Sequence, residues 1–401
     1  MIEKDSYPLP PRDGDYIALR HLVISGSDQE IGHDIGHISK SDYAVKLARY
    51  VAPIYGKARL DYFRRNWPSG HARALGVGEA YGVDPEEGIF DTTALPLDMG
   101  GAGCSAVFIP PSLSVNGHPL VARNYDWFTV TPREFHGGQR MPGEYAFNAR
   151  SQITELRPEQ GRASLHISGW DLLNPWVDGL NEAGLFVTVL ADPSAPAAPL
   201  PQAGGRDAGL SQFQVPAMVL GQCATVEEAK HCLLQQRIFC PTSGLHLLIA
   251  DARGMATVFE IDGSTGQYCF VDGRQHEPFI VTNHPLHRYP DRSTFPALDM
   301  GKEHNSFVRV CLLSSAISRH HAPYTRGDLQ GLIDVVACAF ADSSAAGVIA
   351  PLPERTLWSH TVDLAEKTFL ATFYLGDIGP VRGTNAMRVR RSEPIGIGFS
   401  Q

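Results

Sequence analysis

The sequence predicts an α+β protein in which sheets are covered by helices, and three observations carry that expectation. Through the first third, apolar residues recur at spacings of three and four, the period of an amphipathic helix. After Cys104 the texture changes to short strand-like runs bounded by turn residues. Two further helical stretches, each with a start signal, interrupt those runs.

Taken in order, SDYAVKLARYVAPIYGKARLDYFRRNW and then SGHARALGVGEAYG, from Ser41 to about Gly82, predict two or three helices and a mostly helical N-terminal segment. The strand candidates are SAVFIP, HPLVARNYDW, ASLHIS, GLFVTVLA, GLHLLIAD, MATVFEID, QYCFVD and PFIVTN, then SHTVDL and KTFLATFYL near the end. Thr225 with Glu228, and Thr325 with Asp328, have the spacing at which a cap hydroxyl and a carboxylate three residues on satisfy the first N–H groups of a helix. APSAPAAPLPQAGGRDAG, rich in Pro, Ala and Gly, reads as a long loop. No internal repeat and no linker between two independent cores is visible.

Asn116-Gly117, between SAVFIPPSLSV and HPLVARNYDWF, is a hairpin signal, because a type I′ turn needs positive φ at both central residues. With the turn centred there, Cys104 lies opposite roughly residue 129, which brings Asp126 and Trp127 close to it. Pro110 and Pro111 have no ladder donor and mark where a bulge would shift that register. Arg123 and Asp126 are an odd number apart, so a regular strand points them to opposite faces. A bend near Asn124-Tyr125 is therefore expected if both serve one site.

The chain has 401 residues, 43% hydrophobic and 19% charged, enough for a substantial core in one large domain or two. A net charge of -9 without a Lys or Arg run leaves no electrostatic footprint for nucleic acid or an anionic bilayer. Small-molecule or peptide-sized ligands are the expectation. The opening MIEKDSYPLPPRDGDY has no basic n-region followed by an apolar stretch, and no apolar run approaches the roughly 18 residues of a membrane span. A cytoplasmic protein is expected. Seven cysteines (104, 223, 232, 240, 269, 311 and 338) form no CxxC pair, which fits reduced thiols, six of them small core hydrophobes.

Six segments, in order, resemble the acyl-coenzyme A:6-aminopenicillanic acid acyltransferase family, within the N-terminal-nucleophile hydrolases that also hold the choloylglycine hydrolases. They are DQEIGHDIGHIS; GCSAVF with ARNYDWF; DGLNEAGLFVTVL; FIVTNHPL; NSFVRVCLL; and TLWSHTVDLAEKTFLATF. The resemblance implies a four-layer αββα sandwich of N-terminal-nucleophile type, with a precursor that cleaves itself between Gly103 and Cys104. The fragments, 1–103 and 104–401, would stay together as one domain, since the N-terminal helices alone do not bury their apolar faces. The partners implied are a small-molecule amide or acyl donor and the two fragments themselves, with no cofactor.

These residue types suit that chemistry. A thiol attacks as thiolate, and an ordinary Cys near pKa about 8.5 needs a base at neutral pH. Cleavage before Cys104 supplies one in the same residue, an α-amino group titrating near about 7.7 to 8.0. By the resemblance, Asp126 orients that amine, Arg123 favours thiolate, and Asn181 and Asn283 donate to the developing oxyanion. Ser306 and Arg309 take supporting places. Loops 127–146, with Trp127 and Phe128, and 193–212 are the expected pocket walls.

Two other readings stand beside this one. His33 and His37 in HDIGH are four apart and suit zinc on one helix face, although Gly36 is expected to interrupt that helix, which gives a metal-dependent hydrolase. A non-catalytic binding protein of the same fold that never matures is the other. His320-His321 reads as a solvated helix end, and neither a GxxxxGK[ST] loop, a complete GxGxxG nor a Gly-x-Ser-x-Gly elbow is present. The acyl group and the amine are not legible in the sequence.

Overall fold

The computed structural model describes residues 1–93, 103–169, 173, 177–192, 208–239, 244–296, 305–321, 323–343 and 351–400. Its strands are, in chain order, β1 (Ile2–Leu9), β2 (Ala18–Gly26), β3 (Cys104–Ile109), β4 (Leu120–Phe128), β5 (Arg150–Pro158), β6 (Ser164–Ser168) and β7 (Asp178–Asn181). There follow β8 (Phe186–Asp192), β9 (Leu210–Ser211), β10 (Ile238–Phe239), β11 (Gly244–Ala250), β12 (Ala256–Ile261), β13 (Tyr268–Asp272) and β14 (Phe279–Val281). The last are β15 (Ala339–Ser343), β16 (Leu352–Asp363), β17 (Thr368–Pro380), β18 (Met387–Arg391) and β19 (Ile395–Ile397). The helices are α1 (Asp28–Ser41), α2 (Pro53–Asn66), α3 (Pro68–Tyr81), α4 (Pro132–Phe135), α5 (Val215–Gln222), α6 (Val226–Leu234), α7 (Ser306–Ser318) and α8 (Arg326–Asp334).

Two large sheets result. The first has the order β1-β2-β5-β6-β7-β8-β11-β12-β13, antiparallel except for the β2/β5 pair. The second runs β14-β3-β4-β16-β17-β18, with β15 beside β16 and β19 beside β17. The sheets face one another: Arg123 on β4 reaches Asp178 on β7, and the Phe186 ring on β8 meets His360 on β16 edge-on at 6.0 Å. Outside the first sheet lie α1, α5 and α6, with α3 against α1, and outside the second lie α7 and α8. This is the four-layer αββα arrangement, an α+β fold.

Strand alternation explains the layering. On β3, Ala106 and Phe108 enter the core between the sheets, whereas Val107 and Ile109 face α7 and α8 with Leu313, Leu329 and Ile333. On β4 the odd residues Val121, Tyr125 and Trp127 join the inter-sheet core, and the even residues Leu120 and Ala122 join the helix side. Both faces of these central strands are buried, so β3 reads as a near-continuous apolar run, whereas Arg123, Asn124 and Asp126 of β4 are buried polar residues.

The N-terminal segment carries the expected helices, as α1, α2 and α3, and adds two strands that the helical period does not mark. It begins with β1 and β2, and ALRHLVISG forms a ladder with β1 on one side and β5 on the other. Helix α1 runs through Gly36 rather than ending there. A Cβ on Gly32 would lie 2.1 Å from the Arg73 carbonyl oxygen, and one on Gly76 would lie 1.9 Å from that of Gln29. These glycines let α1 and α3 approach backbone to backbone. Both capped helices form where the start signals sit, α6 on Thr225 and α8 on Thr325, the latter with the reciprocal capping box. Among the described cysteines none is in a disulfide, and Cys232, Cys269 and Cys311 are half-buried rather than core residues. Cys240 and most of the Pro- and Ala-rich stretch lie outside the described residues. No helix among the described residues is long and apolar enough to cross a membrane.

Candidate active site

Cys104 opens β3, pairs with Tyr125 and is 3% exposed. The register therefore differs from the expected partner near residue 129. Ile109 already pairs with Leu120, and the intervening loop holds a one-turn 3₁₀ helix at Pro111–Leu113. Gly117 has φ +69°, but Asn116 is not in the positive-φ region, so the turn is not type I′. The two prolines take the chain out of the ladder early.

Strand parity decides what reaches the thiol. Arg123, on the inter-sheet face with Tyr125, donates from Nη2 to Cys104 Sγ at 3.4 Å and to the Val189 carbonyl at 2.7 Å. Its Nη1 meets Asp178 Oδ2 at 2.9 Å. The same Oδ2 accepts from Trp358 Nε1 at 2.8 Å and lies 3.3 Å from His360 Nε2, while Oδ1 accepts from the Thr188 hydroxyl at 2.6 Å. The guanidinium also lies over the Tyr125 ring, which stacks on Trp358 at 4.0 Å. Burial pushes the Asp178 carboxyl up, but Arg123 and then His360 outweigh it and hold it down at about 2.

Asp126 sits on the opposite face. The expected bend in β4 is absent: the β3/β4 pairing is regular and the irregularity is in β16, between Thr356 and Trp358. Asp126 reaches the site through its backbone instead, its N–H donating to the Gly103 carbonyl at 3.0 Å. Its carboxylate accepts from the Thr356 hydroxyl.

Every polar backbone group of Gly103 and Cys104 is held. The Gly103 N–H donates to Glu354 Oε1 at 3.2 Å, and the Gly103 carbonyl accepts from Asp126. The Cys104 N–H donates to Asn283 Oδ1 at 2.8 Å, and the Cys104 carbonyl accepts from Arg309 Nη1. Arg309 also donates to Ser105 Oγ at 2.8 Å and to Asn283 Oδ1, which joins α7 to the site. Ser306, at the first turn of α7, accepts from the Asn283 backbone N–H at 2.8 Å and bonds Thr282 and His284, so it fixes the strand end that carries Asn283.

Two expected oxyanion donors are thus placed otherwise. Asn283 Nδ2 donates to the Ala191 carbonyl at 2.6 Å, and its oxygen holds the Cys104 nitrogen. Asn181 Nδ2 donates to the carbonyls of Leu220 and Cys223, while Oδ1 accepts the N–H groups of Ala183 and Leu185. That amide ties the β7/β8 turn to α5 and has no donor to spare. Trp127 and Phe128 are buried in an aromatic cluster with Phe135 and Phe147 rather than walling a pocket.

Burial pushes the Cys104 thiol up, with Arg123 and Arg309 opposing the rise. Burial likewise pulls Arg309 down.

The chain was compared with known proteins. No family model matches it, and no curated protein does. Solved acylase and hydrolase structures are similar to it. Penicillin V acylase from Agrobacterium tumefaciens is 24% identical over 67% of this chain and 82% of that chain, with a TM-score of 0.43. Two variants of conjugated bile acid hydrolase from Clostridium perfringens are 16% and 15% identical, covering 74% and 76% of this chain and 97% and 92% of theirs. Their TM-scores are 0.46 and 0.40. At these values the reading of the site rests on its own geometry.

Behind Asn283 lies a polar cluster that the motifs did not mark. Glu260 on β12, 2% exposed, accepts from His246 at 2.6 Å, from the backbone N–H groups of Leu286 and His287, and from the His287 ring at 2.6 Å. It anchors the segment that follows Asn283. Burial pulls His246 down, yet Glu260 and Asp192 outweigh it and leave it raised; burial pushes Glu260 up, yet the two histidines hold it at about 2. His33 and His37 share a face of α1, their rings 6.5 Å apart. Among the described residues no group of three or more His, Cys, Asp or Glu side chains converges there or elsewhere as a metal site.

Proposed function

We propose that this chain is a self-processing cysteine N-terminal-nucleophile enzyme that opens an amide (N-acyl) bond through a thioester, releasing the acyl group to water or to an amine. The observation that carries it is the peptide bond between Gly103 and Cys104. Its carbonyl and N–H are gripped by Asp126 N–H and Asn283 Oδ1, with Arg123 on the adjoining thiol.

In the precursor, Cys104 Sγ attacks the Gly103 carbonyl carbon, and the oxyanion develops against the Asp126 N–H. The C–N bond breaks, the nitrogen takes up the thiol proton, and Gly103 becomes a thioester on Cys104. Water hydrolyses that thioester and leaves Gly103 as a carboxylate. One oxyanion donor of this kind lowers the barrier by about 2.7 to 4 kcal/mol.

After cleavage the Cys104 nitrogen is an α-amino group beside Asn283 Oδ1, which orients its lone pair as an acceptor for the thiol proton. Arg123, anchored on Asp178, offsets part of the burial that raises the thiol. A substrate amide then repeats the sequence: Sγ–C bond formation, oxyanion on Asp126 N–H, departure of the amine with the proton, and deacylation. Arg309 and Ser306 act as positioning residues for Cys104 and Asn283. The fragments 1–103 and 104–401 stay joined, because β2 and β5 share a ladder within one sheet.

Intact-mass measurement tests the reading. The wild type is expected to give two masses breaking before Cys104 and Cys104→Ala a single inactive one. A single wild-type mass with amidase activity that survives Cys104→Ala rules the reading out.

A further inference from the structure

Self-cleavage makes Gly103 the first acyl group that Cys104 carries. Its position therefore marks where an acyl group lies when the thiol attacks, since nucleophile and attacked carbonyl are the same in both reactions. The carbonyl side of that position is the Asp126 N–H at 3.0 Å. The α-nitrogen side is the Glu354 carboxylate, 3.2 Å from the Gly103 nitrogen and fully buried on β16.

A carboxylate only accepts hydrogen bonds, and a buried one costs free energy unless donors face it. In the precursor, Gly103 supplies one donor to Oε1. Once the N-terminal fragment has left the thiol, that one bond is open to whatever acyl group takes the place of Gly103. A fatty acyl group would place a methylene, and an arylacetyl group a ring carbon, against the carboxylate. An acyl group with nitrogen on the carbon next to its carbonyl would restore the bond that Gly103 made.

Resting on the reading above, we propose that Glu354 is the acyl-recognition residue of this site, and that the substrate class is α-aminoacyl amides, donors with an N–H on the α-carbon.

The test uses mature wild-type enzyme and two anilides of matched shape. N-acetylglycyl p-nitroanilide presents the N–H; levulinoyl p-nitroanilide replaces it with a methylene. The expected result is a kcat/KM about 10- to 100-fold higher for the first, the effect of one hydrogen bond to a charged group. In Glu354→Gln that ratio falls to a few-fold, about the effect of a neutral bond. A merely structural Glu354 would lower both rates together. The wild-type comparison stands without the variant, so it remains decisive even where Glu354→Gln does not mature. Equal turnover of the two anilides, or turnover of neither, by an enzyme that has split before Cys104 overturns this proposal and leaves self-processing intact. A wild type that never splits overturns both.

Discussion

Arg123 and Asp178 meet across the gap between the two sheets at 2.9 Å, with neither side chain exposed. Each comes from a different sheet, so their contact fixes both the sheet packing and the direction of the guanidinium that touches Cys104. Removing one partner leaves a buried charge, which costs about 3 to 5 kcal/mol. Asp178→Asn is therefore expected to lose about that much in urea unfolding. The double variant Arg123→Leu with Asp178→Asn should be less destabilised than the sum of the singles. Strict additivity would show that the pair is not coupled.

The same carboxylate predicts an acid limit. Its folded pKa, about 2, is depressed. Its contribution is full above the unfolded value of about 4 and is lost as pH falls from there towards the folded value. The stability difference between wild type and Asp178→Asn should shrink over that window, and a constant difference would contradict the assignment.

Burial raises the Cys104 thiol. Self-cleavage of chain made by cell-free translation should therefore accelerate with pH without levelling off before about 8.5, the ordinary thiol value. Arg123→Leu should move the profile to still higher pH. A rate already flat from pH 6 to 8 is incompatible with a thiol in this environment.

Glu260 predicts a window with two edges. Its own depressed pKa makes its contribution present above about 4.3 and lost as pH falls towards about 2. His246 is raised, so its contribution is full below about 6.5 and lost as pH rises through the folded value. Glu260→Gln should cost about 1.5 to 3 kcal/mol between those edges and less on either side, read by thermal unfolding against pH.

The α1/α3 contact predicts a purely steric effect. A methyl at Gly76 would sit 1.9 Å from the Gln29 carbonyl oxygen. Gly76→Ala should destabilise by about 1 to 3 kcal/mol despite alanine's better helix propensity, and an unchanged melting temperature would mean the helices are further apart.

The hairpin shows how far local pattern reaches. GCSAVF and ARNYDWF put Cys104 and Arg123 on adjoining strands, and alternation puts Arg123 and Asp126 on opposite faces. The register did not follow from Asn116-Gly117, because Pro111–Leu113 forms a 3₁₀ turn and closes the ladder at Ile109 and Leu120. ALRHLVISG is not among the strand candidates yet forms β2, and in DGLNEAGL the turn residue Asn181 ties β7 to α5 while Asp178, at the start, anchors Arg123.

By itself, then, the sequence determined the α+β class, the two capped helices and the thiol-bearing hairpin with Arg123 on one face and Asp126 on the other. These follow from period, capping and alternation, which act over a few residues. Only the tertiary structure decided that Asp178 closes on Arg123, that Glu354 and Asn283 hold the two sides of the Gly103–Cys104 peptide bond, and that Asp126 acts there through its N–H. Asp178, Glu354 and Asn283 come from β7, β16 and the end of β14, far along the chain from Cys104. Their convergence is set by how two twisted sheets pack face to face, which no local period encodes.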